Sequence, residues 1–168
     1  METVEKKIEI SSPLSKVFNQ WTQFEKFPQF MEGVEKVIQL DETHLHWVAQ
    51  IGGKRKEWDA EITEQVPDQR IAWRSITGAP NAGIVSFRPK DPNHTMVSLQ
   101  MSYEPEGALE NIGDSLGLLS RRVESNLKRF RNFVQKLETE TGAWRGEVQG
   151  SEVKPELEYD SSGKSGLD

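Results

Sequence analysis

The sequence predicts an α+β domain in which a curved, seven-stranded antiparallel sheet surrounds a long carboxy-terminal helix, with two short helices after the first strand. Three observations predict it. Residues 109–140 hold a single helical period: Leu109, Ile112, Leu116, Leu119, Val123, Leu127, Phe130, Val134 and Leu137 recur at steps of three or four and fall on one stripe. Between residues 34 and 103 the period is two instead, interrupted at short intervals by turn residues, which is the pattern of consecutive hairpins. The inward face of those strands carries Trp47, Trp58, Trp73, Val85, Phe87, Leu99, Met101 and Tyr103, more bulk than one helix stripe covers on a flat sheet. Roughly 30 helical residues make a rod of about 45 Å, which depends on packing against such a sheet for its stability.

The elements follow in order. Val4, Lys6, Ile8 and Ile10 alternate with charged residues, as in a half-buried strand with Lys6 near an edge. Ser11-Ser12-Pro13 pairs a helix-capping residue with proline at the first helical position, and Val17, Phe18 and Trp21 follow at helical spacing. Phe24, Phe27, Phe30 and Met31 continue the apolar face, but Pro28 forbids one unbroken helix, so a second short helix or turn is expected. Strands then run from Val34 to the turn at Asp41-Glu42-Thr43 and, with Leu45, Trp47, Ala49 and Ile51 inward, to Gly52-Gly53. In the next strand Trp58, Ala60, Ile62 and Val66 point inward, with Glu64 as the one charge on that face. Pro67-Asp68-Gln69, Gly78-Ala79-Pro80-Asn81 and residues 89–93 supply the remaining hairpin turns, and Pro105-Glu106-Gly107 admits the long helix.

Composition narrows the function. A chain of 168 residues suits one domain, and five Trp and seven Phe fill its core. The absence of cysteine removes disulfides, thiolate catalysis and thiolate zinc sites, and fits a reducing, cytoplasmic setting. No apolar run approaches the ~18 residues of a membrane span, and the first residues lack the basic-then-apolar order of a secretory signal. A net charge of −6 disfavours DNA binding. The boundaries drawn are a domain over residues 1–143 and an acidic tail over 144–168. From Gly146 the tail sets six acidic residues against two lysines with little apolar content, a composition that suits disorder. Trp144-Arg145 stands apart from that composition, either docking back on the domain or marking an interaction motif.

A curved sheet does not collapse fully onto a straight rod, so an apolar cavity between them is the functional candidate. Ser12-Pro13-Leu14 leading to Val17-Phe18, Phe27-Pro28-Gln29-Phe30-Met31, the strands of Trp47, Trp58 and Trp73, and Leu127-Lys128-Arg129-Phe130 occur in an order that resembles the helix-grip domains called START-like. The resemblance covers residues 3–141 and is to the polyketide cyclase/dehydrase branch, similar to coenzyme-Q-binding members. It implies a hydrophobic ligand, such as a lipid, quinone or polyketide, held between sheet and helix by a carrier or accessory protein. A cyclase/dehydratase enzyme is the alternative it leaves open, and it brings no catalytic residue set and no cofactor.

The ligand-binding candidates are Phe30, Trp47, Trp58, Trp73, Val85, Phe87, Leu99, Met101, Tyr103, Ile112, Gly113, Leu116 and Gly117. Three tryptophans on one sheet face suit a cavity wall, since indole keeps an N–H that needs a partner. Gly113 and Gly117 each cost about 1 kcal/mol against alanine inside a helix, so they either loosen an entrance or leave room for a ligand or strand. His44 and His46 share the opposite, outward face, and with His94 the sole further histidine they make a poor metal set; none is expected. Glu64, with Ser75 and Thr77 beyond Trp73, is the sole candidate for acid–base chemistry, and a satisfied polar spot is the plainer reading. Arg121, Arg122, Lys128, Arg129, Arg131 and Lys136 make the last helix basic, as a solvated face or as a contact for a membrane surface or the ribosome.

Overall fold

The computed structural model describes residues 2–51, 53–78, 80–103, 115–150 and 152–155. Strand β1 (Glu2–Ile10) is followed by α1 (Leu14–Trp21), a 3-10 helix (Phe24–Gln29), β2 (Val34–Gln39), β3 (His44–Ile51), β4 (Lys54–Val66), β5 (Arg70–Ser75), β6 (Asn81–Asp91), β7 (His94–Tyr103), α2 (Ser115–Lys136), β8 (Glu147–Gln149) and β9 (Glu152–Lys154). The main sheet order is β1-β7-β6-β5-β4-β3-β2, antiparallel throughout. First and last strands of the predicted set are thereby partners, while β1 and β2 lie at opposite edges. The chain between them has to cross the full width of the sheet, and α1 with the 3-10 helix makes that crossing.

Helix α1 starts one residue later than its sequence suggests. The Pro13 carbonyl accepts the Val17 N–H at 3.1 Å and opens the helix, while Ser12 is buried with its carbonyl accepting the Thr95 hydroxyl. Phe24, Phe27 and Phe30 turn inward at three-residue spacing, and Pro28 sits inside the 3-10 segment. Trp21 is the hub of the packing, edge-on to Phe27, Phe87 and Phe130 with ring centroids 5.4, 6.2 and 4.8 Å away. The α2 stripe is inward as its period requires: Val123, Leu127, Phe130 and Val134 are buried and Leu119 packs against the core. Leu109, Ile112 and the rest of 104–114 lie outside the described residues. At its far end α2 stops at Lys136 rather than Glu140. The Leu137 N–H bonds back to Val134, and Lys16, Asn19 and Gln20 of α1 capture Leu137, Glu140 and Thr141 in succession.

Two features correct the sequence reading. The first is a bulge at Thr63: Ile62 pairs with Trp73 but Glu64 pairs with Ala72, so one residue of β4 is skipped. With a side-chain period of two, that slip exchanges the faces of everything beyond it. Gln65 is therefore the buried residue, and Glu64 pairs with Arg70 in a half-exposed contact. The second is the segment after 143. Beyond the His44–Glu61 pair, β4 has outrun β3 and its edge is open. Strand β8 fills it, with Gln65 opposite Val148 and the Gly150 N–H donating to the Thr63 carbonyl at 2.9 Å, and β9 hairpins back on β8. Trp144 packs on the core, and Arg145 binds Asp68 at 2.8 Å over the Phe18 ring. Residues 144–150 and 152–155 thus pack with the domain, and among the described residues the sheet has nine strands rather than seven.

A cavity between the sheet and the last helix

Cross-strand register builds one wall. Trp47 of β3 lies directly opposite Trp58 of β4 on the inner face, and the two indoles stack with centroids 5.9 Å apart and planes within 3°. Trp73 of β5 is seated over β6 because Gly83 is its cross-strand partner: a Cβ there would stand 2.3 Å from the Trp73 ring and 2.8 Å from the Met101 sulfur. Gly83→Ala should therefore displace the indole and cost about 1–3 kcal/mol by overpacking, read as a lower urea midpoint together with a shift in tryptophan emission.

Trp21, Phe24, Phe27 and Met31 close one end, and Leu119, Arg122, Val123 and Asn126 of α2 form the roof at helical spacing. The cavity is about 150 Å³. Of the ligand-binding candidates, Trp47, Trp58, Trp73, Leu99 and Met101 border it. Phe30, Val85 and Phe87 do not: Phe30 packs between Phe130 and Phe133, Phe87 packs on Phe18 and Trp21, and Val85 is fully buried in the core. Gly117 is in α2 and is not among the described lining residues. Ile112, Gly113 and the side chains of Tyr103 and Leu116 lie outside the described residues. The sequence reading missed the α1, 3-10 and α2 contributors, although the apolar steps of Phe24, Phe27 and Met31 already marked a face in need of cover.

The polar groups around the cavity are few. On the α2 side Asn126 accepts the Glu32 N–H through Oδ1 at 3.3 Å, and Arg122 reaches the neighbouring turn at Gly33. Gly33 has φ +86°, and a Cβ there would stand 2.8 Å from the Gln50 carbonyl, so this turn admits glycine alone without strain. Trp21 buries its Nε1–H with no acceptor among the described residues, a deficit of about 1–3 kcal/mol. No Asp, Glu, His, Ser or Thr is among the described lining residues.

The other candidates are drawn into local pairings. Glu64 faces Arg70 across the outer surface, the Ser75 hydroxyl accepts the Asn81 N–H at 3.0 Å, and the Thr77 hydroxyl accepts the Asp59 N–H at 2.8 Å. His44 contacts Asp41, and His46 lies 2.6 Å from Asp59 and 3.5 Å from Glu57. Among the described residues no three histidines or carboxylates converge as a metal set. The Asp59 hydrogen bond, helped by Glu57, raises the His46 pKa above its usual 6.5. A raised folded-state value means that the pairing contributes fully below the unfolded pKa, near 6.5, and that its contribution fades as pH rises through the folded one. NMR titration should place the His46 midpoint above 6.5, and Asp59→Asn should lower it. On α2, Lys128 pairs with Glu124, itself near Lys6, and Arg129 pairs with Glu32, so acids interrupt the basic face.

A curved antiparallel sheet gripping a carboxy-terminal helix over an apolar cavity is the START-like helix-grip architecture. Residues 10–132 match the family described as "Polyketide cyclase / dehydrase and lipid transport", and the chain belongs to that family. It is 48% identical over 149 residues to an "uncharacterized 17.2 kDa protein" of Streptomyces lincolnensis, a match covering 88% of this chain and 99% of the relative. Among solved structures, one from Thermus thermophilus superposes with a TM-score of 0.72 at 24% identity, covering 82% of this chain and all of the other. The Zhui aromatase/cyclase of a Streptomyces species gives 0.66 at 14% identity, covering 80% and 94%. At these identities the likeness is one of fold. Among the described residues no helix is long and apolar enough to cross a membrane.

Proposed function

We propose that the protein binds a small hydrophobic molecule, of lipid, quinone or polyketide-like character, in the cavity between sheet and α2, and acts as a carrier or accessory protein. The observation that carries this reading is the composition of the wall: aromatic and aliphatic side chains from β3, β4, β5 and β7, both short helical segments and α2 surround the space, with Asn81 the one contribution of β6 and without a carboxylate or imidazole among the described residues. Such a wall supplies burial and shape, whereas acid–base turnover needs a proton donor or acceptor within reach of the substrate. The family description keeps a cyclase/dehydratase activity as the second reading.

The test is native mass spectrometry of protein purified without detergent, followed by extraction and identification of what is retained. Leu119→Trp, from the middle of the roof, should fill the cavity and reduce retained or added ligand at least tenfold while the helix persists by circular dichroism. Unchanged retention in that variant, or conversion of a bound polyketide by the wild type, would overturn the carrier reading.

A further inference from the structure

The polar chemistry at the cavity is weighted towards α2, which supplies Arg122 and Asn126, while the sheet contributes Asn81. Arg122 and Asn126 are four residues apart on α2 and so lie on one helix face. The Asn126 carbonyl oxygen is already occupied by the Glu32 N–H, which leaves its NH2 as the available end. Arg122 is exposed, and among the described residues no carboxylate lies within ion-pair distance of its guanidinium. The nearby Glu32 carboxylate is engaged by Arg129 at 3.5 Å instead. Donors therefore gather around an apolar space whose described lining contains no acidic residue.

From this juxtaposition we infer that the cavity selects a compact amphipathic monoanion: an apolar body under the tryptophan wall and a carboxylate on Arg122 and the Asn126 amide. A carboxylate accepts without donating, which matches the site, and its hydrogen bonds to guanidinium are charge-assisted and geometrically specific. The cavity of about 150 Å³ takes a body on the scale of a single benzene ring, so small aryl and short-chain carboxylic acids are the compact members of this class that test the site. Neutral groups satisfy Arg122 less well, since a neutral hydroxyl at best replaces one of its several hydrogen bonds to water.

This inference rests on the cavity being a binding site, and the experiment separates the two. Binding of 3-phenylpropanoate and 3-phenylpropanol, and of hexanoate and hexanol, is measured by calorimetry and tryptophan emission at pH 7. Each acid should bind about tenfold or more tightly than its alcohol, a preference that weakens as salt is raised. Arg122→Gln should remove the preference by lowering acid binding to the level of the alcohols, and near-ultraviolet circular dichroism of the tryptophans reports separately whether the variant's cavity wall is intact. Asn126→Asp keeps the acceptor for the Glu32 N–H but replaces the donor by a negative charge, and should favour the alcohols. Equal binding of acid and alcohol by the wild type, or a preference that survives Arg122→Gln, overturns the inference and leaves the cavity as a neutral hydrophobic site. If neither member of either pair binds up to millimolar concentration, the binding reading falls and takes the inference with it.

Discussion

A chain ending at Ala143 should melt about 10 °C below the intact protein, because the removed segment completes the sheet. Val148 is fully buried, and burial of such a side chain stabilises by about 1.5–3 kcal/mol. The buried Gln65 amide donates to the Trp144 carbonyl at 3.1 Å, and stranding it costs about 1–3 kcal/mol. Water entering the vacated edge recovers part of that second cost, and the partly exposed Arg145–Asp68 pair adds little. The expected loss is then about 3 kcal/mol, at roughly 2–4 °C for each kcal/mol in a domain of this size. A chain ending at Pro155 keeps each of these contacts and should melt with the intact protein. Equal melting of the Ala143 and Pro155 chains in calorimetry would show that β8 contributes nothing.

Phe130→Ala should cost about 3–5 kcal/mol, the range for removing a fully packed aromatic ring. Phe130 is fully buried, edge-on to Trp21 at 4.8 Å and tilted against Phe30 at 5.2 Å. It therefore joins α2 to both α1 and the end of the 3-10 segment. Urea denaturation should show the midpoint falling with little change in slope. Arg129→Ala is the neighbouring control. Its contact with Glu32 is 3.5 Å long and solvent-exposed, and surface pairs of this kind contribute about 0–1 kcal/mol. A Phe130→Ala loss no larger than that of Arg129→Ala would contradict the view that the Trp21 cluster holds the helices together.

The sequence by itself determined the order of elements from β1 to α2 and, as far as the Thr63 bulge, the face each strand presents. Period two placed Trp47, Trp58, Trp73, Val85, Phe87, Leu99 and Met101 on one side of the sheet, and a 3.6-residue period placed Val123, Leu127, Phe130 and Val134 against it, because burial follows the geometry of strand and helix. Periodicity says that a face is covered, not by what. Only the tertiary structure decided that Phe30, Val85 and Phe87 pack into the core while Trp47, Trp58 and Trp73 border the cavity, since that depends on where α1, the 3-10 helix and α2 come to rest. The bulge at Thr63 carries no compositional mark, yet one skipped residue moved Glu64 out and Gln65 in. Strand β8 has three residues, too few to show a period, and its partner is an edge that exists only because β4 outlasts β3. The clasp of Arg122 and Asn126 on the Glu32-Gly33 turn is likewise a meeting of residues some 90 positions apart in the chain, and chain folding alone creates it.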